Sequence, residues 1–212
     1  MRLSWALLAS ALLLRSGVGG ANPVPFAQGW MLMTEASRTY QNGEVVYSPW
    51  RGSALGAGYT GIRADDKSKR RQIVYATYNY LLKRWNLTNA QANVFVEGGV
   101  GGANGNFSGD RVVAHVGTQV DYETRRVYFA WKEHLWHASN FDHRVSTVHL
   151  GWAPYAADYE ELATWFVIQV RRIDGGILDT DVMPFVRLFK KNKWFEFGGN
   201  GGGVQVNFMM TF

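Results

Sequence analysis

Along most of the chain, apolar and polar side chains alternate one by one, in runs separated by clusters of turn-forming residues. A period of two belongs to a β-strand whose two faces meet different surroundings. The closing run, 203–212, sets Val204, Val206, Phe208, Met210 and Phe212 against Gln205, Asn207, Met209 and Thr211. The run 111–121 is as regular: Val112, Ala114, Val116, Thr118 and Val120 oppose His115, Gly117, Gln119 and Asp121. The same reading gives strands over 28–37, 44–48, 53–63, 71–84, 91–101, 126–137, 145–154, 162–172, 181–189 and 194–197. Glu133 interrupts the otherwise apolar row of Val127, Phe129, Trp131 and Leu135.

Twelve strands are therefore expected; without the first pair or the 194–197 strand the number falls to ten or eight. Gln41-Asn42-Gly43 reads as a tight hairpin turn, because Asn-Gly favours the backbone twist such turns need. Short connections at 49–52, 86–90, 122–125, 155–161 and 190–193 alternate with generally longer loops at 64–70, 102–110, 139–144, 173–180 and 198–202. Short turns on one side, longer loops on the other and an even strand count are the habit of membrane-spanning barrels.

The run 203–212 ends on an aromatic residue with nothing after it to cover its apolar row. In water that row would be an adhesive edge; as the closing strand of a barrel it would face lipid. Here the chain resembles the bacterial outer-membrane β-barrel proteins, whose last strand commonly ends in Phe. The resemblance is to a class and covers the architecture of the whole chain. It implies an all-β, antiparallel transmembrane β-barrel in the bacterial outer membrane, with the lipid and the barrel assembly machinery as partners. Phe212 would be the assembly signal.

The beginning of the chain agrees with export. Arg2 precedes an apolar run over 3–14, and the small residues Gly17, Gly19, Gly20 and Ala21 follow. These are the three parts of a signal peptide, and the run is shorter than the roughly 20 residues of a membrane-spanning helix. The expected division is a signal peptide over 1–21 and one barrel domain over 22–212. Hydrophobic residues make up 47% of the chain and aromatics 15%, yet they are dispersed by the alternation. Trp50, Trp85, Tyr122, Tyr128, Tyr155, Trp165 and Trp194 fall near strand ends, as aromatic girdles at both interfaces would require. The absence of cysteine removes disulfides, haem attachment and lipoprotein acylation. With Arg2 and Arg15 in the export segment, 20 basic residues remain against 17 acidic ones, too mild a balance to imply nucleic acid.

The row opposite the apolar one holds the candidate functional residues: Glu97, His115, Gln119, Asp121, Lys132, His134, His149, Arg171 and Arg187. In a water-filled interior these groups would set the preference of a narrow passive channel; in a packed interior they would pair and serve structure alone. Two other functions are kept beside these. An outer-membrane enzyme acting on lipid or peptide would draw on Ser139, Ser146, Asp142 and His143. A metal-binding surface protein would draw on His134, His137, His143 and His149 with Glu133 and Asp142. However, His134 and His137 are three apart on a strand and face opposite sides. No compact ligand motif is present, and no cofactor is expected.

Overall fold

The computed structural model describes residues 22–63, 69–106, 111–175 and 179–212. The expected signal peptide and parts of three expected loops lie outside them. The described chain is all-β, and each strand pairs antiparallel with its sequence neighbour. The strands are β1 (Trp30–Ala36), β2 (Tyr40–Trp50), β3 (Ser53–Arg63), β4 (Arg70–Asn86), β5 (Ala90–Gly105) and β6 (Val112–Thr124). They continue as β7 (Val127–Ala138), β8 (Phe141–Trp152), β9 (Ala163–Asp174), β10 (Asp179–Lys190), β11 (Lys193–Asn200) and β12 (Gly203–Thr211). β12 returns to pair with β1, from Met31 opposite Thr211 to Ala36 opposite Val206, and the sheet closes into a barrel. The backbone of Phe212 completes the seam through two hydrogen bonds with Trp30, of 2.6 and 2.9 Å. Closure leaves no strand edge unpaired, which removes the liability of the terminal run.

The period-two pattern determines which row faces inward. On β6, His115, Gln119 and Asp121 are buried while Val112 and Val116 are exposed; on β12, Gln205 and Asn207 are buried while Val204 is exposed. Around the barrel the outward row is mostly apolar, with Val74, Val100, Leu150, Ile168, Val182 and Phe197 all exposed. The interior is layered. Beside the chain termini, Val24, Met31, Val46, Ala54, Phe95, Phe189, Trp194 and Met209 form one apolar cluster. Tyr128, Ala130, Trp165, Val167, Met183 and Phe185 extend that layer across β7, β9 and β10. At the far end, Tyr40, Ile62, Ile73, Tyr75, Trp136, Val145 and Ile173 form another. Buried polar groups fill the space between these layers.

Several sequence expectations are corrected. Asn42-Gly43 is not a turn: both residues lie inside β2, opposite Glu35 and Thr34 of β1 and Thr60 and Tyr59 of β3. The bend falls at residues 37–39, where the Ser37 hydroxyl donates to the Tyr40 carbonyl (2.9 Å) and accepts from the Tyr40 N–H (3.1 Å). Pairing on both sides and a local side-chain bond outweigh the Asn-Gly preference. Phe141–Arg144 and Gly198–Asn200, expected as loop, belong to β8 and β11. The contrast of short and long connections does not hold throughout the described residues either. The stretch 153–162 lies on the side of the termini, whereas residues 139–140 and 201–202 make tight turns at the far end. That stretch is pinned back by Arg125–Asp158 (2.8 Å) and Lys191–Glu160 (2.6 Å).

Candidate functional site

The site of interest is the barrel interior. Its strands all contribute inward side chains at alternate positions, so the register decides which of them meet. The structure places Glu97, His115, Asp121, His149, Arg171 and Arg187 among the buried residues, and Lys132 and His134 on the same inward row. Unpaired burial of such groups would be costly, and most of them have partners.

Near the termini side, Arg187 of β10 donates through Nε to Glu196 of β11 at 3.1 Å, and Asn207 of β12 donates to the other Glu196 oxygen at 2.8 Å. The Arg187 guanidinium also lies over Tyr128 (4.9 Å) and Trp194 (4.8 Å). Asp121 of β6 accepts from Asn93 of β5 (2.6 Å) and from Gln119 (2.9 Å). His149 of β8 meets Gln169 of β9 at 3.1 Å. Lys132 stands within electrostatic reach of Glu44, Glu97 and Asp121.

Other bonds join strands that are not neighbours, so they cross the interior. Arg171 of β9 donates to Glu35 of β1 (2.5 Å) and to Gln205 of β12 (3.2 Å), over the Tyr40 ring at 4.4 Å. Arg71 of β4 reaches His143 of β8 at 2.5 Å and the Gly175 carbonyl at 3.2 Å. Arginine has no acceptor, so His143 accepts through Nε2 and presents its Nδ1–H to the Asp174 carbonyl at 3.1 Å. Asn79 of β4 donates to Glu44 of β2 (2.6 Å) and to the Pro23 carbonyl (3.1 Å), with Val24 in the adjoining apolar cluster. The chain before β1 thus turns into the barrel and fills it from the termini side.

Among the described residues, recesses open to the surface at the rim and on the outer wall. One, of about 470 Å³, is lined by Arg63, Arg70, Gly105 and Asn106 at the far rim. The other, of about 320 Å³, lies over Tyr78, Tyr80, Val96, Glu97 and Gly98 on the wall.

The outer surface is uneven. Trp30, Trp50, Trp85, Tyr122, Trp152 and Tyr155 are exposed at or beside strand ends on the side of the termini. Tyr128, Trp165 and Trp194, expected in the girdles, are buried inside instead, because their alternation places them on the inward row. From mid-height to the far end, β7–β9 carry charge on their outer face: Arg144 pairs with Glu133 (2.5 Å) and Arg172 with Asp174 (2.9 Å).

The residues considered for an enzyme do not converge. His143 points inward, Asp142 points outward to His137 (2.6 Å), and the Ser146 hydroxyl donates to Glu133 (2.7 Å). The four neighbouring histidines do not converge either. His137 is on the outer face, while His134, His143 and His149 have separate interior partners. A set the sequence reading did not assemble does come together: Glu97, His115 and His134, from β5, β6 and β7, offer ligand atoms within 4.8 Å of one another. All three lay on recognised inward rows, but only the register across Gly117 makes them neighbours.

Comparison of the chain with protein-family models, with curated proteins and with solved structures finds no match. The class rests on geometry: a closed antiparallel barrel of twelve strands.

Proposed function

We propose that the protein is an integral outer-membrane β-barrel whose interior is closed by its own side chains, a structural barrel that acts through its wall and rims. The observation that carries this reading is the inverted distribution of polarity. Apolar side chains are exposed around the wall, while Glu44, Asn79, Glu97, Arg171, Arg187 and Glu196 are buried inside. An apolar wall of this extent has no covering layer in water, whereas acyl chains would cover it and girdle aromatics would sit at the headgroups. In that reading the termini side faces the periplasm, and Phe212 at the seam is presented to the barrel assembly machinery. Between the channel and the structural barrel, the bonds of Arg71 and Arg171 across the interior favour the structural one.

The test of membrane insertion uses the tryptophans. Trp131 and Trp152 lie on the outer wall, whereas Trp136 is 1% exposed in the interior. In vesicles of phospholipid brominated on its acyl chains, the refolded protein should be quenched. Trp131→Phe and Trp152→Phe should each remove emission that the bromines quench, and Trp136→Phe should leave the quenchable emission unchanged. Equal quenching of all three positions, or none, would refute insertion through this wall.

A further inference from the structure

We propose that Glu97, His115 and His134 form an intrabarrel site for a divalent first-row transition ion of the zinc type. The argument begins with Gly117. Across the sheet, Glu97 of β5 is opposite Gly117 of β6, and Gly117 is opposite His134 of β7. Because residue 117 has no side chain, the two flanking groups lean over it. A Cβ there would stand 2.9 Å from Glu97 Oε2 and 3.0 Å from His134 Nδ1. His115, one inward position along β6, brings its Nε2 to 3.2 Å from His134 Nδ1, and that nitrogen is 3.6 Å from Glu97 Oε2.

Those separations are the size of a coordination polyhedron. Ligands held about 2.0–2.1 Å from a tetrahedral zinc ion are roughly 3.3 Å apart. Two imidazoles and one carboxylate are a recurrent zinc donor set that leaves a further position for water. The donors are also held in place: the His115 ring stacks on Trp136 (5.0 Å) and contacts Tyr75 (4.9 Å), and His134 stacks on Trp136 at 5.6 Å.

A second, independent observation points to a ligand. Glu97 is 7% exposed, its Oε2 is fully buried without a hydrogen-bond partner, and that atom lies 3.6 Å from His134 Nδ1 within the three-residue cluster. The remaining contact in the cluster is between the two rings, where one shared proton at most bridges Nε2 and Nδ1. An ion in place of that proton satisfies both nitrogens and the orphaned oxygen together. The two cations near His134 both have acidic company: Arg171 pairs with Glu35 at 2.5 Å, and Lys132 stands within electrostatic reach of Glu44, Glu97 and Asp121. Such an ion would bind β5, β6 and β7 to one another from inside the barrel.

The experiment is calorimetric titration of the refolded, chelator-treated mature protein with zinc chloride, repeated with cobalt(II) and read by visible absorption. One ion per barrel is expected, with the intense ligand-field bands of four- or five-coordinate cobalt. Glu97→Gln and His134→Gln should each weaken binding by more than about tenfold, while His137→Gln, on the outer face, should leave it unchanged. Heat-modifiable gel migration reports folding of each variant, and should one fail to fold, the other variant and the wild-type cobalt spectrum still decide. A flat titration of folded protein would overturn the proposal. So would binding that survives both interior substitutions, or that is lost with His137→Gln.

Discussion

Substitution of Arg187 distinguishes a packed interior from a wet one. Its side chain is 3% exposed and that of its partner Glu196 is 1% exposed, with 3.1 Å between guanidinium and carboxylate. Arg187→Met leaves the Glu196 carboxylate inside the barrel with the Asn207 amide still donating to it. Breaking a buried pair in this way costs about 3–5 kcal/mol, whereas a water-exposed pair is worth about 0–1 kcal/mol. Adding Glu196→Gln removes the stranded charge and keeps an acceptor for Asn207. The double variant loses the pair and the ring contacts of Arg187 with Tyr128 and Trp194, worth about 0.5–2 kcal/mol at such sites. The second substitution should therefore restore about 2 kcal/mol of the loss. The assay is urea unfolding from lipid vesicles, followed by tryptophan emission, with wild type and both single and double variants in one cycle. A single-variant cost below about 1 kcal/mol, unaffected by the residue at 196, would refute the packed interior.

Two further outcomes can be read in the same assay. Gly101→Ala should cost about 1–3 kcal/mol through overpacking, because its Cβ would stand 2.1 Å from the Val74 carbonyl oxygen. Gly98→Ala on the same strand has open space around the new methyl and should change stability by no more than about 0.5 kcal/mol. Equal costs at the two positions would contradict the register of β4 and β5. Val24→Asp should release the segment before β1 from the cluster that includes Met31, Phe95 and Trp194. The loss of that burial is expected to cost about 1.5–3 kcal/mol, and an unchanged urea midpoint would mean that the segment does not plug the barrel.

The barrel was legible in the sequence because its physics is local. An apolar wall against a polar interior writes a period of two into each strand, as in 111–121 and 203–212, and twelve such runs predicted the twelve strands found. What the pattern lacks is register. Alternation put Glu97, His115 and His134 on inward rows but could not say that Gly117 lies between two of them. Turn chemistry was also a poor guide where pairing opposed it: Asn42 and Gly43 are held in β2 by ladders on both sides. The bonds that fill the interior, such as Arg71 to His143, join residues 72 apart in sequence and exist only once the sheet has closed. The exposed aromatics beside the termini were half legible, since proximity to a strand end was visible while the inward placement of Tyr128, Trp165 and Trp194 depended on their phase within each strand.

The most direct test of the proposed closed outer-membrane barrel is single-channel recording of refolded residues 22–212 in a planar lipid bilayer. Folding would be verified beforehand by heat-modifiable migration. The bonds across the interior from Arg171 to Glu35 and from Arg71 to His143 predict an electrically silent barrel. Discrete, reproducible conductance steps, altered in ion selectivity by Arg171→Gln, would contradict it and establish a channel.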